Sequence, residues 1–212
     1  MIVTDAVSRY LETLRPAPDP VLAEMEAQAA REQIPIVPPT TGMLLHLLAL
    51  ARGARRVLEV GTAIGVSTLY LARGLAPGAT IISFEIDERR HSAARDYLRR
   101  AGVLDRADLR LQDARTGLRS IEGKFEMAFL DGVKAQYGDY FDALLPRLGR
   151  GGLLAVDNVL MSGTVAEGRS DSHWTEDQIA TARAFNERLV NHEDLCTTVT
   201  PVGDGLLIAV RR

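Results

Sequence analysis

One cysteine, Cys196, stands among 212 residues. No disulfide can form within the chain, and a reducing compartment is the expected setting. Long apolar runs are missing too. The opening stretch, MIVTDAVSRYLETLRP, is broken by Asp5, Arg9, Glu12 and Arg15, which excludes the apolar core of a signal peptide. No later run approaches a membrane span, so the cytoplasm is the expected location and a membrane partner is not expected. Charge of one sign is scarce: 25 Lys and Arg oppose 28 Asp and Glu, for a net −3. That balance supplies no overall drive toward nucleic acid or an anionic membrane. Histidine is sparse and scattered at 46, 91, 173 and 192, so no Cys/His cluster offers a soft metal site. There is no internal repeat and no low-complexity tract.

What is present is ordinary globular material, 46% apolar and 25% charged, in a length that suits one large domain with a short extension. The first third reads as helical. Val7, Tyr10, Leu11 and Leu14 recur at helical spacing; Pro16, Pro18 and Pro20 end that helix, and a second is expected over 21–33. Prolines in Ile34–Pro39 force extended geometry. Thr40 or Thr41 is expected to cap a third helix over 42–51. These features predict a helical extension or lid over 1–39 and a catalytic domain over 40–212.

From Arg56 the pattern alternates. Strands are expected at 56–60, 80–85, 107–111, 125–130 and 152–156, with helices over 66–75, 88–101 and 137–148 between them. Such alternation with apolar strands predicts an α/β fold: a parallel sheet with helices on both faces. The tail differs. A loop over 161–175 leads to a helix over 176–191, then strands at 195–200 and 206–210 joined across Gly203-Asp204-Gly205, which predicts an antiparallel hairpin.

The segment Glu59-Val-Gly61-Thr-Ala-Ile-Gly65 closes the first strand and opens a helix. Glycine permits a sharp turn and close approach of a ligand to the backbone, and helix amides can meet a carboxylate or phosphate. Glu85 ends the second strand 24 residues after Gly61, where a carboxylate can accept from both hydroxyls of a ribose. By itself the pattern equally suits two tight turns of any α/β protein. The four-residue spacing of Gly61 and Gly65 departs from the dinucleotide fingerprint, which weighs against a nicotinamide dehydrogenase.

Together, VLEVGTAIGVSTLYLA, FEID, FLDGVKAQY, VDNVLMSG and GDGLLIAV resemble the cation-dependent O-methyltransferases, the family of catechol and caffeoyl-coenzyme A O-methyltransferases and their bacterial relatives. The resemblance spans about 40–212. It implies a Rossmann-like class I methyltransferase fold, with a seven-stranded sheet whose last strand is antiparallel. It implies S-adenosylmethionine as cofactor, with Glu59, Gly61, Thr62, Gly65 and Ser67 at the methionine end, Glu85 on the ribose, Asp113 and Ala114 beside the adenine, and Asp131 also among the cofactor-binding residues. Asp113 has an equal alternative role as the cap of the following helix.

Asp131 ends the fourth strand, and Asp157 and Asn158 end the fifth. Two carboxylates and an amide oxygen are hard donors suited to Mg²⁺, Mn²⁺ or Ca²⁺; the alternative is that they merely cap the next element of the chain. The resemblance implies that these three bind a divalent cation, Mg²⁺ foremost, and that Asp131 and Lys134 are catalytic, Lys134 facing the acceptor hydroxyl. A nearby cation favours the neutral amine, which could then accept a proton. Gly132 and Val133 are smaller than the residues of some animal relatives, so no particular acceptor is implied. Trp174 is a candidate wall of the acceptor site or an anchor of its loop.

The expected activity is therefore divalent-cation-dependent methyl transfer from S-adenosylmethionine to a hydroxyl of a catechol-like or other small acceptor, by a homodimer to which the N-terminal segment contributes. Two alternatives stand beside it. One is a tRNA-modifying methyltransferase on the same fold, for which Arg55-Arg56, Arg89-Arg90, Arg99-Arg100 and Arg211-Arg212 could contact phosphates. The other is a non-enzymatic S-adenosylmethionine-binding protein, disfavoured by intact Asp131, Lys134, Asp157 and Asn158.

Overall fold

Proline and glycine set many of the element boundaries in the computed structural model, which describes residues 5–212. Helix α1 (Asp5–Thr13) stops ahead of the proline run. In α2 (Pro20–Glu32), proline takes the first position, where its missing N–H loses nothing, and Asp19 caps by accepting from the amides of Val21 and Leu22. Helix α3 (Pro39–Arg52) starts earlier than its threonines suggest. Pro38 is the N-cap and no side chain caps it; Thr41 lies inside the helix with its buried hydroxyl unpartnered. Two prolines, with φ already fixed near the helical value, start this helix without a hydroxyl.

The remaining elements are β1 (Arg56–Val60), α4 (Val66–Gly74), β2 (Thr80–Glu85), α5 (Glu88–Arg100), β3 (Ala107–Leu111), α6 (Ala114–Ser120), β4 (Phe125–Leu130), α7 (Tyr137–Leu144), β5 (Leu148–Val156), α8 (Thr164–Glu167), α9 (Glu176–Val190), β6 (Leu195–Thr200) and β7 (Leu206–Arg211). Helix α7 is shorter than expected, because Pro146 turns its end into a 3₁₀ segment, Leu145–Arg147. Strand β5 starts earlier, at Leu148 opposite Phe125, and its pairing with β4 shifts register before Leu153. The 161–175 loop carries one short helix, α8.

The seven strands form one sheet in the order β3-β2-β1-β4-β5-β7-β6. Neighbours among β1 to β5 pair parallel, and β7 lies antiparallel between β5 and β6. The hairpin is therefore antiparallel within itself, and β7 alone runs against the other strands. Period-two alternation feeds two cores. Val57, Ile81, Met127 and Phe129 face one that includes Leu45, Leu69 and Leu98 of α3, α4 and α5. Leu58, Ile82, Phe84 and Leu130 face the other, with Leu118, Phe141 and Leu189 of α6, α7 and α9.

Helix α2 buries Leu22, Met25 and Ala29 and packs on α4 and α5, whereas α1 exposes Tyr10 and Leu11, and Leu14 just past its end is exposed too. Among the described residues no helix is long and apolar enough to cross a membrane. Because β2 and β3 lie to one side of β1, and β4 and β5 to the other, the carboxyl ends of β1 and β4 open a crevice where ligands of such sheets bind.

Candidate active site

The turn after β1 is built by close approach. Gly61 has φ +99°, and a Cβ there would sit 2.2 Å from the carbonyl oxygen of Asp131. Its amide and that of Thr62 both donate to the Phe84 carbonyl. Gly65, φ +92°, is the N-cap of α4. A cavity of about 550 Å³ opens over this turn, lined among others by Gly61, Ala63, Glu85, Asp113, Ala114 and Asp131.

Glu85 is buried, and its carboxylate accepts from the amides of Ala63 at 2.7 Å, Ile86 at 2.8 Å and Asp87 at 2.9 Å. An ionised carboxylate has about four acceptor positions, so one remains toward the cavity. Asp113 caps α6 through the Arg115 amide at 2.7 Å and also pairs with the Arg115 guanidinium, chiefly through which its carboxyl is held below the usual range. It still lines the cavity, and Ala114 follows it there.

Glu59, Thr62, Gly65 and Ser67 lie beneath the turn rather than on the cavity wall. Glu59 is wholly buried and accepts from Thr68 Oγ1 at 2.5 Å and Ser83 Oγ at 2.6 Å; Thr62 shares a 2.6 Å bond with Ser83. Burial pushes the Glu59 carboxyl up to about 7, against the opposing bonds from Ser83, Thr68 and Ser67. Linkage gives the sign of the effect on stability. Below about 4.5 both folded and unfolded chains hold the proton. Between 4.5 and about 7 only the folded chain holds it, so stability falls as pH rises through that window, by roughly 3 kcal/mol in all. Glu59→Gln keeps an oxygen for both hydroxyls and removes the charge. We expect it to gain stability over the parent at pH 8 and not at pH 4.5, measured by urea unfolding without ligand; equal effects at both pH values would count against titration of Glu59.

The second half of the site comes from β4 and β5. Leu130 pairs with Val156, so the next residues, Asp131 and Asp157, leave the sheet side by side. Lys134 Nζ donates to Asp131 Oδ1 at 2.8 Å. Burial raises the Asp131 carboxyl, opposed by that lysine. Burial and then Asp131 push the Asp157 carboxyl up to about 7. Asp157 Oδ1 is buried with no hydrogen-bond partner, while Tyr137 Oη donates to the Asp157 carbonyl at 3.2 Å. Asn158 follows with φ +57°, a left-handed position that asparagine tolerates better than most residues. Among the described residues no three His, Cys, Asp or Glu side chains form a metal cluster; the third hard oxygen here belongs to an amide.

Lys134 and Asn158 also line a second cavity of about 460 Å³, which runs between the start of α7 and α9 past Gly138, Thr181 and Phe185. Trp174 is partly exposed and lines neither cavity.

Two further contributors come from segments whose sequence assigns them no role at the site beyond a lid and a shared motif. Asp204, in the turn between β6 and β7, lines the first cavity, and Pro35, Ile36 and Pro38 close its rim. The glycines flanking Asp204 signal a turn, and nothing local says that the turn reaches the site.

This geometry has close counterparts. The chain is 32% identical over 214 residues to the catechol O-methyltransferase of Mycobacterium tuberculosis, covering 97% of this chain and 95% of that one. It superposes on the crystal structure of the O-methyltransferase from Bacillus cereus in complex with SAH at a TM-score of 0.86, with 30% identity, over 98% of this chain and 97% of that one. It also matches the O-methyltransferase TomG from Streptomyces achromogenes, involved in tomaymycin synthesis and solved with SAM, at a TM-score of 0.82, with 29% identity, over 97% and 96% of the two chains. The family model described as O-methyltransferase matches residues 16–212, nearly the whole described chain. The chain is an enzyme that belongs to the O-methyltransferase family.

Proposed function

We propose that this enzyme moves a methyl group from S-adenosylmethionine to a hydroxyl of a small, catechol-like acceptor, with a divalent cation at Asp131, Asp157 and Asn158. One observation carries the proposal. A buried and a half-buried carboxylate, Asp157 and Asp131, leave adjacent strands beside an amide and a lysine, one carboxylate oxygen lacks any partner, and this group stands where the two cavities meet. The donor set fits a hard cation: it matches oxygen-ligand chemistry and would engage the orphaned Asp157 Oδ1. When bound, such a cation supplies Lewis acidity toward the acceptor's oxygens and fixes their orientation.

The chain's own residues do the rest. Gly61 admits the methionine end of the cofactor close to the backbone. Glu85 offers its free acceptor position to the ribose, and Ala114 adjoins the adenine. Glu59, Thr62, Gly65 and Ser67 act from below by fixing the turn. Lys134 would receive the hydroxyl proton, while bound S-adenosylmethionine would supply the methyl group from its sulfonium, leaving S-adenosylhomocysteine. Holding the two centres in contact accounts for much of the acceleration. The SAH and SAM held by the two solved relatives support the cofactor assignment.

A small acceptor is favoured over tRNA because much of the arginine is engaged within the fold. Arg99 pairs with Asp96, Arg100 with Glu24, Arg211 donates to the carbonyls of Leu145 and Leu148, and Arg56 stacks on Phe125. Methyl-transfer assays on catechol, a caffeoyl thioester and undermethylated tRNA, each with and without Mg²⁺, test the proposal; turnover on tRNA alone would overturn it. Glu85→Ala is expected to weaken S-adenosylmethionine binding by about 1–3 kcal/mol, the range for charge-assisted hydrogen bonds. Unchanged affinity by calorimetry would remove Glu85 from the site.

The exposed Tyr10 and Leu11 of α1, with Leu14 just beyond it, support assembly as a homodimer through the 1–39 segment, which we place as a lid over the crevice. Sedimentation at micromolar concentration should give twice the mass of 23.1 kDa; a single-chain mass would count against it.

A further inference from the structure

The segment just beyond β5 is held in an unfavourable backbone shape. Asn158, Met161 and Ser162 have φ of +57°, +48° and +57°, a left-handed region that costs non-glycine residues free energy and persists only where surroundings enforce it. The enforcement comes from the β6–β7 turn. The Val159 amide donates to the Gly205 carbonyl at 3.1 Å, and the Leu160 amide to the Asp204 carbonyl at 3.0 Å. The Ser162 amide donates to the Asp204 side chain, Oδ1, at 2.5 Å. Gly205, φ +86°, brings the turn so near that a Cβ would stand 2.9 Å from the Leu160 nitrogen. On the far side Asn186 Nδ2 donates to the Val159 carbonyl at 2.8 Å. Of these contacts, the bond to Ser162 is the one made by a side chain of the turn, and it grips the loop at its last strained residue.

We propose that Asp204 is a positioning residue: as a hydrogen-bond acceptor it holds the 158–162 loop in the conformation that presents Asn158 beside Asp131 and Asp157. The consequence for the cation rests on the site proposed above; the clamp itself does not.

Isosteric and homologous variants separate acceptor from charge. Asp204→Asn keeps an oxygen at the same reach and loses the charge. Asp204→Glu keeps the charge and displaces the oxygen by one methylene. With the full chain, amide hydrogen exchange at Ser162 and its neighbours reads the clamp, and Mn²⁺ alone, titrated by electron paramagnetic resonance, reads the site. Asp204→Glu and Asp204→Ala are expected to speed exchange over 159–163 at least tenfold and to weaken Mn²⁺ ~10–100-fold, as outer partners of metal ligands do. Asp204→Asn should match the parent in exchange, and amides of β1 and β4 should be unmoved in all three. Parent-like exchange in Asp204→Glu with faster exchange in Asp204→Asn would overturn the proposal in favour of charge. Parent-like exchange in Asp204→Glu and Asp204→Ala would overturn it outright. Absence of Mn²⁺ binding in the parent would refute the cation site and leave the exchange result to decide the clamp.

Discussion

Asp157→Ala should abolish turnover while leaving S-adenosylmethionine affinity within about twofold, since independent sites usually couple by less than about 0.5 kcal/mol. On the reading proposed above the cofactor rests on the ends of β1 and β2, whereas Asp157 is 2% exposed at the end of β5. Its oxygen lacks a partner and its carboxyl is raised, as expected of a ligand awaiting a positive partner. Chelation of the parent should have the same effect, and Mg²⁺ or Mn²⁺ should restore activity, as hard oxygen donors require. Calorimetry of cofactor binding and a methyl-transfer assay on one sample separate the two halves. Full activity in chelator with a competent acceptor would defeat the cation proposal and return Asp131 and Asp157 to the role of strand-end polar groups.

Lys134→Ala should lower turnover by ~10²–10⁴-fold, the span for a lost general base, with Mn²⁺ still bound. The lysine touches Asp131 at 2.8 Å, so its removal also takes a positive charge from the pair. Lys134→Arg separates the two roles, because guanidinium keeps the charge but does not give up its proton in this range. Proton acceptance predicts that both variants are slow; charge balance alone predicts that arginine rescues. A pH profile adds a second check. As the acceptor hydroxyl begins to ionise unaided, the deficit of either variant should shrink with rising pH. Lys124 and Lys134 are the only lysines in the chain, so competitive amine labelling across pH reads the Lys134 amine against one exposed reference. A loss below about threefold at every pH would remove Lys134 from proton transfer.

Much of the fold could be read from the chain because its signals are local. The strands at 56–60, 80–85, 107–111 and 125–130 stand out as short apolar stretches between helical segments, and all four form over those residues. The end of α7 and the start of β5 were misplaced. Pro146 and the glycines at 149, 151 and 152 read as a connection, whereas Leu148 already pairs with Phe125, and pairing across a register shift leaves no period in the sequence. In the site, the ends of β1, β2, β4 and β5 brought Gly61, Glu85, Asp131 and Asp157 to one crevice because parallel strands share an edge. The direction of Glu59 follows from parity. It alternates with Leu58 and Val60, so its side chain takes the face of Val57 and lies under α4. Its partners Thr68 and Ser83 come from separate elements, and no spacing joins them. Asp113 had two roles open in the sequence; the cap is seen in its bond to the Arg115 amide.

The placement of β7 inside the sheet ties distant parts of the chain to one another. β7 is the last strand in chain order, yet it fills the gap between β5 and β6, pairing Leu153 with Val210 and Leu195 with Arg211. Strand β6 has β7 as its one neighbour in the sheet, so the two are held there as one hairpin. The same hairpin brings the Asp204 side chain and the Gly205 carbonyl to the loop beyond Asn158. A change that loosened β7 from β5 would therefore free that loop as well, although the two segments lie far apart in the chain.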